Sequence, residues 1–496
     1  MAHQSDIRYS EGVRAIPEEL LGFFLRKQGR VLLVRGDPGA GKTLFAVRTL
    51  DVLRQRGGDV LYVSTRVDTE TVYRNYLAGT TGLTGSSVLD ISQDPFDADI
   101  SPSAELGTDE FDPTAFLEWL QAVGEVSDPL TVVFDSWELV QRYLRSRGQA
   151  DDPMEPETLV TRIAALARQH GLRVVLVTEH PEQTSLDYVV DGVVELQVDH
   201  GRQGRPERTL VLEKLRGVRI GNRTRPFTLS EGRFSVFRPV NLPFPRSNHD
   251  EAEYQSLPDT KTKFSTGIAD LDTMLDGGYN RGSIVHFALG PDISRDAWSL
   301  PCLATARNFL SGGKGVATVP LPESSPGLVR RNLEPICPNG SFDARCEVFE
   351  TYDHEPTAPT EADRTGRTDR GASASDDESP RGLGYSAYLQ RVESIREASD
   401  GPLLHVISMD AAGDAFGDVL SDHATYVALH NDLSILVTKP GGEERTRANR
   451  IADVHLRLER RGETVFLYGE NPVTPFLGFD TRATDSDRNL ALQEMV

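Results

Sequence analysis

The octapeptide Gly36-Asp37-Pro38-Gly39-Ala40-Gly41-Lys42-Thr43 restricts this chain more than any other stretch, because it sits between a short apolar run, Val31 to Val34, and a helical stretch beginning at Leu44. Glycines in this pattern let backbone N–H groups wrap a phosphate closely, at positive φ values that other residues avoid. The following helix adds the positive end of its dipole. In such a loop the lysine, Lys42, reaches the β- and γ-phosphates and the hydroxyl of Thr43 ligates Mg²⁺. A chance glycine turn seldom carries the full Gly-x-x-x-x-Gly-Lys-Thr spacing between a strand and a helix. The expected ligand is therefore a nucleoside triphosphate, ATP with Mg²⁺, held by all eight residues from Gly36 to Thr43.

The remaining apolar runs give the scaffold. Val60 to Val63, Leu130 to Phe134 and Val174 to Val177 are continuous apolar segments of the parallel-strand kind. Helical stretches separate them, among them Glu157 to Gln169 with Leu159, Ile163 and Leu166 on one face. Alternating strands and helices imply an α/β fold with a doubly wound, mostly parallel sheet. Val193 to Val198 and Thr209 to Glu213 read as an antiparallel hairpin around His200-Gly201-Arg202. Asp135, at the end of an apolar strand downstream of the glycine loop, fits the carboxylate that holds the Mg²⁺ water shell. Thr178-Glu179-His180 ends the next strand on the ligand-facing edge of such a sheet, where it serves as a phosphate sensor or as a plain strand-end cap.

The chain also repeats itself. Ser10-Glu11-Gly12-Val13 precedes Gly36 by about one helix and one strand, and Ser265-Thr266-Gly267-Ile268 stands in the same relation to Gly290. The second loop, Gly290 to Ala297, has no Gly-Lys-Thr, and Asp292 and Asp296 would repel a phosphate. One nucleotide per chain is expected. The predicted organisation is a nucleotide-binding domain over 1–240, a linker over 241–257 and a degenerate copy over 258–496. A Thr-, Ser-, Asp- and Arg-rich stretch at about 353–382 has the composition of a disordered insertion, and Gln93 to Pro113 that of an acidic loop.

Composition narrows the setting. Acidic residues outnumber basic ones by 75 to 53, for a net charge of -22, and only seven of the basic residues are lysines. Dense carboxylates keep a chain hydrated where salt screens their repulsion, so the balance points to the cytoplasm of an extreme halophile. The sequence has no apolar run long enough to span a membrane and no apolar segment of a secretory leader near Met1. Cys302, Cys337 and Cys346 have no metal-binding spacing and are expected to be free thiols.

With these motifs in place the chain resembles the KaiC-like branch of the RecA superfamily over nearly its whole length. The matching pieces are the Gly36 to Thr43 loop, Val133 to Ser136, Asp191 to Val194, Leu212-Glu213-Lys214-Leu215-Arg216-Gly217 and Pro226-Phe227-Thr228. The resemblance implies a RecA-like domain followed by a degenerate RecA-like copy. It also implies that Lys214 and Arg216 lean across a subunit boundary of a homo-oligomer, Arg216 as an arginine finger. One departure is serious: the family's catalytic glutamates correspond to Arg66 and Val67. Asp68 or Glu70 could substitute, but a misplaced base loses much of its effect, and a positioned one is worth about 10²–10⁴-fold. Nucleotide binding with slow or absent hydrolysis is expected.

Two arginine runs remain. Arg202, Arg205, Arg208, Arg216, Arg219, Arg223 and Arg225 crowd one segment, and Arg445, Arg447, Arg450, Arg457, Arg460 and Arg461 the corresponding part of the second copy. Nucleic acid is the obvious partner, but phosphate contacts weaken steeply with salt, and at about 1 M the Debye length is only ~3 Å. Short, bidentate arginine–carboxylate contacts survive better. A protein partner gripped by Arg202, Arg205 and Arg208 is the expectation, against plain solvated surface. A glycine loop near the start followed by two arginine runs also resembles the GvpD family of haloarchaeal gas vesicle regulators. That resemblance implies a repressor of gas vesicle formation that contacts the transcriptional activator GvpE. The competing reading is a KaiC-like or recombinase-like ATPase, acting in DNA recombination or repair or as a clock-type ring.

Overall fold

Seven consecutive residues, Arg30–Gly36, form strand β1, and the next residues explain where the fold places its loop. Period-2 alternation sends Leu32 and Val34 into one apolar cluster and Val31 and Leu33 into another, one on each side of a sheet. A strand buried on both faces needs helices on both faces, which is the doubly wound arrangement expected. The computed structural model describes all of the chain except residues 1–14, 27–29, 78–79, 81–82, 92–112, 127–128, 148–154, 180–184, 202–203, 240–253, 255, 295, 323, 338–340, 350–383, 414–415, 417 and 481–489. The predicted insertion at 353–382, most of the acidic loop and most of the linker lie outside the described residues, as do Ser10 to Val13, His180 and Arg202.

The first sheet contains β1 (Arg30–Gly36), β2 (Asp59–Ser64), β3 (Val88–Asp90), β4 (Leu130–Asp135), β5 (Arg173–Val177), β6 (Gly192–His200), β7 (Pro206–Leu215), β8 (Thr224–Thr228) and β9 (Ser235–Val236). Their spatial order is β3-β2-β4-β5-β1-β6-β7-β8-β9. Pairing is parallel from β3 to β6 and antiparallel from β6 to β9. The antiparallel half is longer than predicted, and the β6–β7 connection closes with Gly201 N–H donating to Arg205 O at 3.0 Å.

After a small β10–β11 pair (Lys263–Phe264, Tyr279–Asn280), the second sheet repeats the first. It contains β12 (Ser283–Leu289), β13 (Gly315–Val319), β14 (Cys346–Val348), β15 (Leu403–Ser408), β16 (Leu433–Thr438), β17 (Val454–Arg461), β18 (Thr464–Asn471), β19 (Leu477–Asp480) and β20 (Ala491–Glu494). Their order, β14-β13-β15-β16-β12-β17-β18-β19-β20, is the first order transposed strand for strand. The molecule comprises two RecA-like α/β sheets, the second a copy of the first. By contacts the chain groups into two compact units, one of Met1–Pro239 with Arg461–Thr464 and Gln493–Val496, the other of Val240–Arg460 and Val465–Leu492.

A buried aspartate marks the same place in each copy. Asp191 accepts the Val31 N–H and donates its own N–H to Val31 O, at 3.2 and 3.0 Å. Asp453 does the same to Ile284, at 2.9 and 2.8 Å. This alignment puts Leu289 in the place of Gly36, one residue earlier than the Gly290 that the sequence repeat suggests.

Candidate nucleotide site

The loop after β1 turns on its glycines. Gly36, Gly39 and Gly41 have φ of 148°, 78° and 95°. A Cβ on Gly36 would lie 2.2 Å from the Leu196 carbonyl oxygen, and on Gly41 2.8 Å from Leu229. Backbone contact and φ together require glycine at position 36, while at Gly41 the left-handed φ is the constraint. The helix Lys42–Gln55 starts directly on the motif lysine, two residues earlier than predicted, with Gly41 as its N-cap. Its first-turn N–H groups are thus free to face an anion.

Lys42 folds over the loop it belongs to, donating to Gly36 O at 2.7 Å and Asp37 O at 2.9 Å. Burial lowers its pKa, and the carboxylates of Glu179, Asp135, Glu138 and Asp37 oppose that shift. Thr43 Oγ1 donates to Asp135 Oδ2 at 2.7 Å, and Tyr62 donates to the same oxygen at 2.8 Å. Burial raises the Asp135 pKa, while these two hydrogen bonds and the charges of Arg66 and Lys42 pull it down. Hydroxyl, carboxylate and ammonium thus converge at the end of β1 and β4. A hard cation takes oxygen ligands, and a hydroxyl beside a carboxylate is the donor set Mg²⁺ uses when it bridges phosphates. The residues fit that group.

The other predicted residues are placed as follows. Asp68 caps the short helix Thr69–Val72, its Oδ1 accepting from Thr71 N at 2.8 Å and its Oδ2 from Thr71 Oγ1 at 2.9 Å, and these bonds lower its pKa. Glu70 forms an exposed ion pair with Arg74. Arg66, where the KaiC-like pattern has an acid, pairs with Glu179 at the end of β5. Lys214 donates to the carbonyls of Asp187 and Val190, at 2.8 and 2.7 Å, and burial lowers its pKa. Arg216 bonds Tyr188 O at 3.1 Å and Asp191 Oδ1 at 3.4 Å. Both side chains lie against residues 187–191 rather than the loop of their own chain.

The arginine run is less uniform than its sequence suggests. Arg205 is buried, at 6% exposure. Arg208 donates through Nη1 to Gly39 O of the loop at 3.2 Å and through Nε to Val496 O, in the same compact unit, at 2.5 Å. Burial lowers its pKa. Expected as a partner contact, Arg208 also touches the nucleotide loop, because β7 begins beside the end of β1: Arg208 pairs with Val198, two residues past the Leu196 that lies opposite Gly36. Arg223 pairs with Glu213, and in the second run Arg447 pairs with Glu443 and Arg457 with Glu459 and Glu470.

The second copy lacks the site. Residues 290–298 replace the short turn 37–41, and the helix Ser299–Ser311 begins after the buried Trp298. Where β4 ends in Asp135, opposite Val177, β15 ends in Ser408, opposite Val437. Among the described residues none takes the place of Lys42, and Ser408 stands where β4 has the Asp135 carboxylate.

Comparison with known proteins covers both halves. Residues 20–213 match the family described as GvpD gas vesicle protein, P-loop domain, and residues 253–496 match GvpD basic region 2. The chain belongs to the GvpD family. It is 46% identical to Protein GvpD1 and 48% identical to Protein GvpD2 of Halobacterium salinarum, covering 98% of this chain and 97% of each relative. Circadian clock oscillator protein KaiC of Thermostichus vulcanus is 26% identical over 52% of this chain and 48% of its own length. The family's second description, a basic region, falls on the half that carries Arg445 to Arg461. The chain is therefore a P-loop protein with a nucleotide-binding first copy. Among the described residues no helix is long and apolar enough to cross a membrane, and no His, Cys, Asp and Glu cluster could hold a metal by itself.

Proposed function

We propose that the first copy binds ATP with Mg²⁺ and that the chain is a nucleotide-dependent regulator in the cytoplasm of a halophilic archaeon. In this reading it represses gas vesicle formation by gripping the activator GvpE. The observation that carries the nucleotide part is the hydrogen bond between Thr43 and Asp135 beside the Lys42-bearing loop. Residues Gly36 to Thr43 hold the phosphates, with Thr43 Oγ1 and Asp135 Oδ2 towards the metal. Bound there, Mg²⁺ neutralises phosphate charge. Lys42 exchanges its loop carbonyls for phosphate oxygens. Lys214 and Arg216, which lie against residues 187–191, reach a neighbouring subunit's nucleotide in this reading.

The regulatory part is supported by membership of a family named for gas vesicle proteins and by a single binding site per two copies. Arg202, Arg205 and Arg208 are the proposed contacts to the activator, with Arg208 linking that surface to the loop.

The test combines two measurements in molar KCl. Titration with labelled ATP should give one nucleotide per chain, lost in Lys42→Ala. Co-purification with GvpE should depend on which nucleotide is supplied. Two equivalent sites, or hydrolysis stimulated by DNA with no capture of GvpE, would sink this reading in favour of a recombinase-like enzyme.

A further inference from the structure

One carboxylate at the site has no part in the motif. Glu138 lies in the first turn of the helix Trp137–Arg147, three residues beyond Asp135. Its Oε1 accepts from Thr178 Oγ1 and, at 2.7 Å, from Glu179 N–H, both at the end of β5. Its Oε2 is buried and has no hydrogen-bond partner. Its charge acts on Lys42, the residue that meets the γ-phosphate. Two donors at the end of β5 hold this carboxylate in place.

Leaving one oxygen of a fixed carboxylate buried and unmatched costs folding free energy. Groups held at that cost call for an explanation, and one recurrent explanation is catalysis. The other acids near the loop are engaged: Asp135 with Thr43 and Tyr62, Glu179 with Arg66, Asp68 with Thr71 and Glu70 with Arg74. Among the described acids whose charge acts on Lys42, Glu138 is the one with a carboxylate oxygen buried and unmatched.

We propose that Glu138 is the general base of an ATP hydrolysis in the first copy, replacing the acids absent at Arg66 and Val67. This rests on the nucleotide-binding reading above. As a bound nucleotide draws Lys42 off its loop carbonyls, the sealed Oε2 gains contact with a water and takes its proton as the water oxygen bonds to the γ-phosphorus. The bond from that phosphorus to the β,γ-bridging oxygen breaks, leaving ADP and inorganic phosphate. The proton then passes from Glu138 to solvent. Glu138 is held by β5 and not by the segment after β2, so the chemistry depends on the strand end at Thr178.

The experiment uses the full chain in molar KCl with Mg²⁺, comparing wild type, Glu138→Gln, Glu179→Gln and Lys42→Ala. Affinity for a fluorescent non-hydrolysable ATP analogue is read first, then the fate of bound labelled ATP in a single turnover. Wild type should convert bound ATP to ADP. Glu138→Gln should bind the analogue within about threefold of wild type, yet retain ATP, with turnover reduced about 10²–10⁴-fold. The proposal is overturned by any of four results: Glu138→Gln turning over like wild type, Glu138→Gln losing analogue binding as Lys42→Ala does, Glu179→Gln alone abolishing turnover, or wild type holding ATP unconverted. In that last case the analogue still binds, so nucleotide binding stands while this inference fails; absence of analogue binding in wild type would remove the reading beneath it.

Discussion

The two copies share a strand order and little of what surrounds it. Both anchor the central strand with a buried aspartate, Asp191 and Asp453. Both end the helix before the neighbouring strand on a left-handed residue, Gly171 with φ 70° and Asn431 with φ 54°. That match lines Ile163 up with His423 and Leu172 with Asp432, and strand register pairs Val132 with His405 and Val174 with Ser434. Four apolar core positions of the first copy are thus polar in the second. There, His405 Nε2 lies 3.1 Å from Asp432, Arg396 reaches Asp432 at 2.6 Å, and His423 Nε2 lies 3.0 Å from Ser434. The scaffold survives because a sheet needs its apolar strands and its backbone anchors, whereas the strand ends and one face of the core are free to diverge.

The largest test of that contrast is the loop itself. Lys42→Ala should reduce ATP affinity by at least about 100-fold, the order of two lost charge-assisted contacts. Asp296→Lys in the second copy should gain nothing, since residues 290–298 and Ser408 supply neither cradle nor carboxylate. Isothermal titration of both variants decides the matter, and binding at the second site would break the comparison.

Next is the polar core. Asp432→Ala leaves Arg396, His405 and the Leu403 N–H without their acceptor and should cost the second copy about 3–5 kcal/mol. Trp298 is the only tryptophan beyond residue 137, so in a Trp119→Phe, Trp137→Phe background its fluorescence reports denaturant unfolding of that copy.

Acid sharpens the difference further. Burial holds His423 at a pKa of about 3 and His286 at about 4, below the ordinary value of 6.5. A histidine depressed in the folded state binds fewer protons there than when unfolded. Stability is therefore full above about pH 6.5 and falls as pH drops towards 4. The loss approaches about 1.4 kcal/mol per unit for each histidine. Among the described residues every buried histidine lies in the second copy, so that copy should unfold first on acidification, and His423→Leu should flatten its slope.

Arg208→Ala should have the smallest effect, weakening nucleotide binding about three- to tenfold through the lost bond to Gly39 O. An unchanged affinity would return Arg208 to the surface patch alone.

The sequence made the sheet and the loop legible for physical reasons. Val31 to Val34 and Val174 to Val177 are buried on both faces, so they read as unbroken apolar runs, and the glycine spacing around Lys42 has few other uses. Glu138 was not legible. A glutamate in a first helical turn is commonplace, and only its two donors from the end of β5 and its unmatched oxygen single it out. Asp68 misleads in the opposite way: it lies close to the expected acidic position in sequence, yet its side chain is spent on Thr71. The polar core of the second copy was equally hidden, because His405 and Asp432 are scattered along the chain and meet only once the strands align.

Asp191 has one more consequence. Its carboxylate serves three donors at once: the Val31 N–H, Arg168 at 3.2 Å and Arg216 at 3.4 Å. Each guanidinium is about half exposed while the aspartate is nearly sealed. With Arg168 in attendance, departure of Arg216 strands no buried charge, and the penalty of about 3–5 kcal/mol for orphaning one does not apply. Arg168 acts as a reserve counter-ion. Arg216 is thereby left on a loose tether, at liberty to swing to whatever anion approaches, while the strand that carries the glycine loop stays pinned at its base.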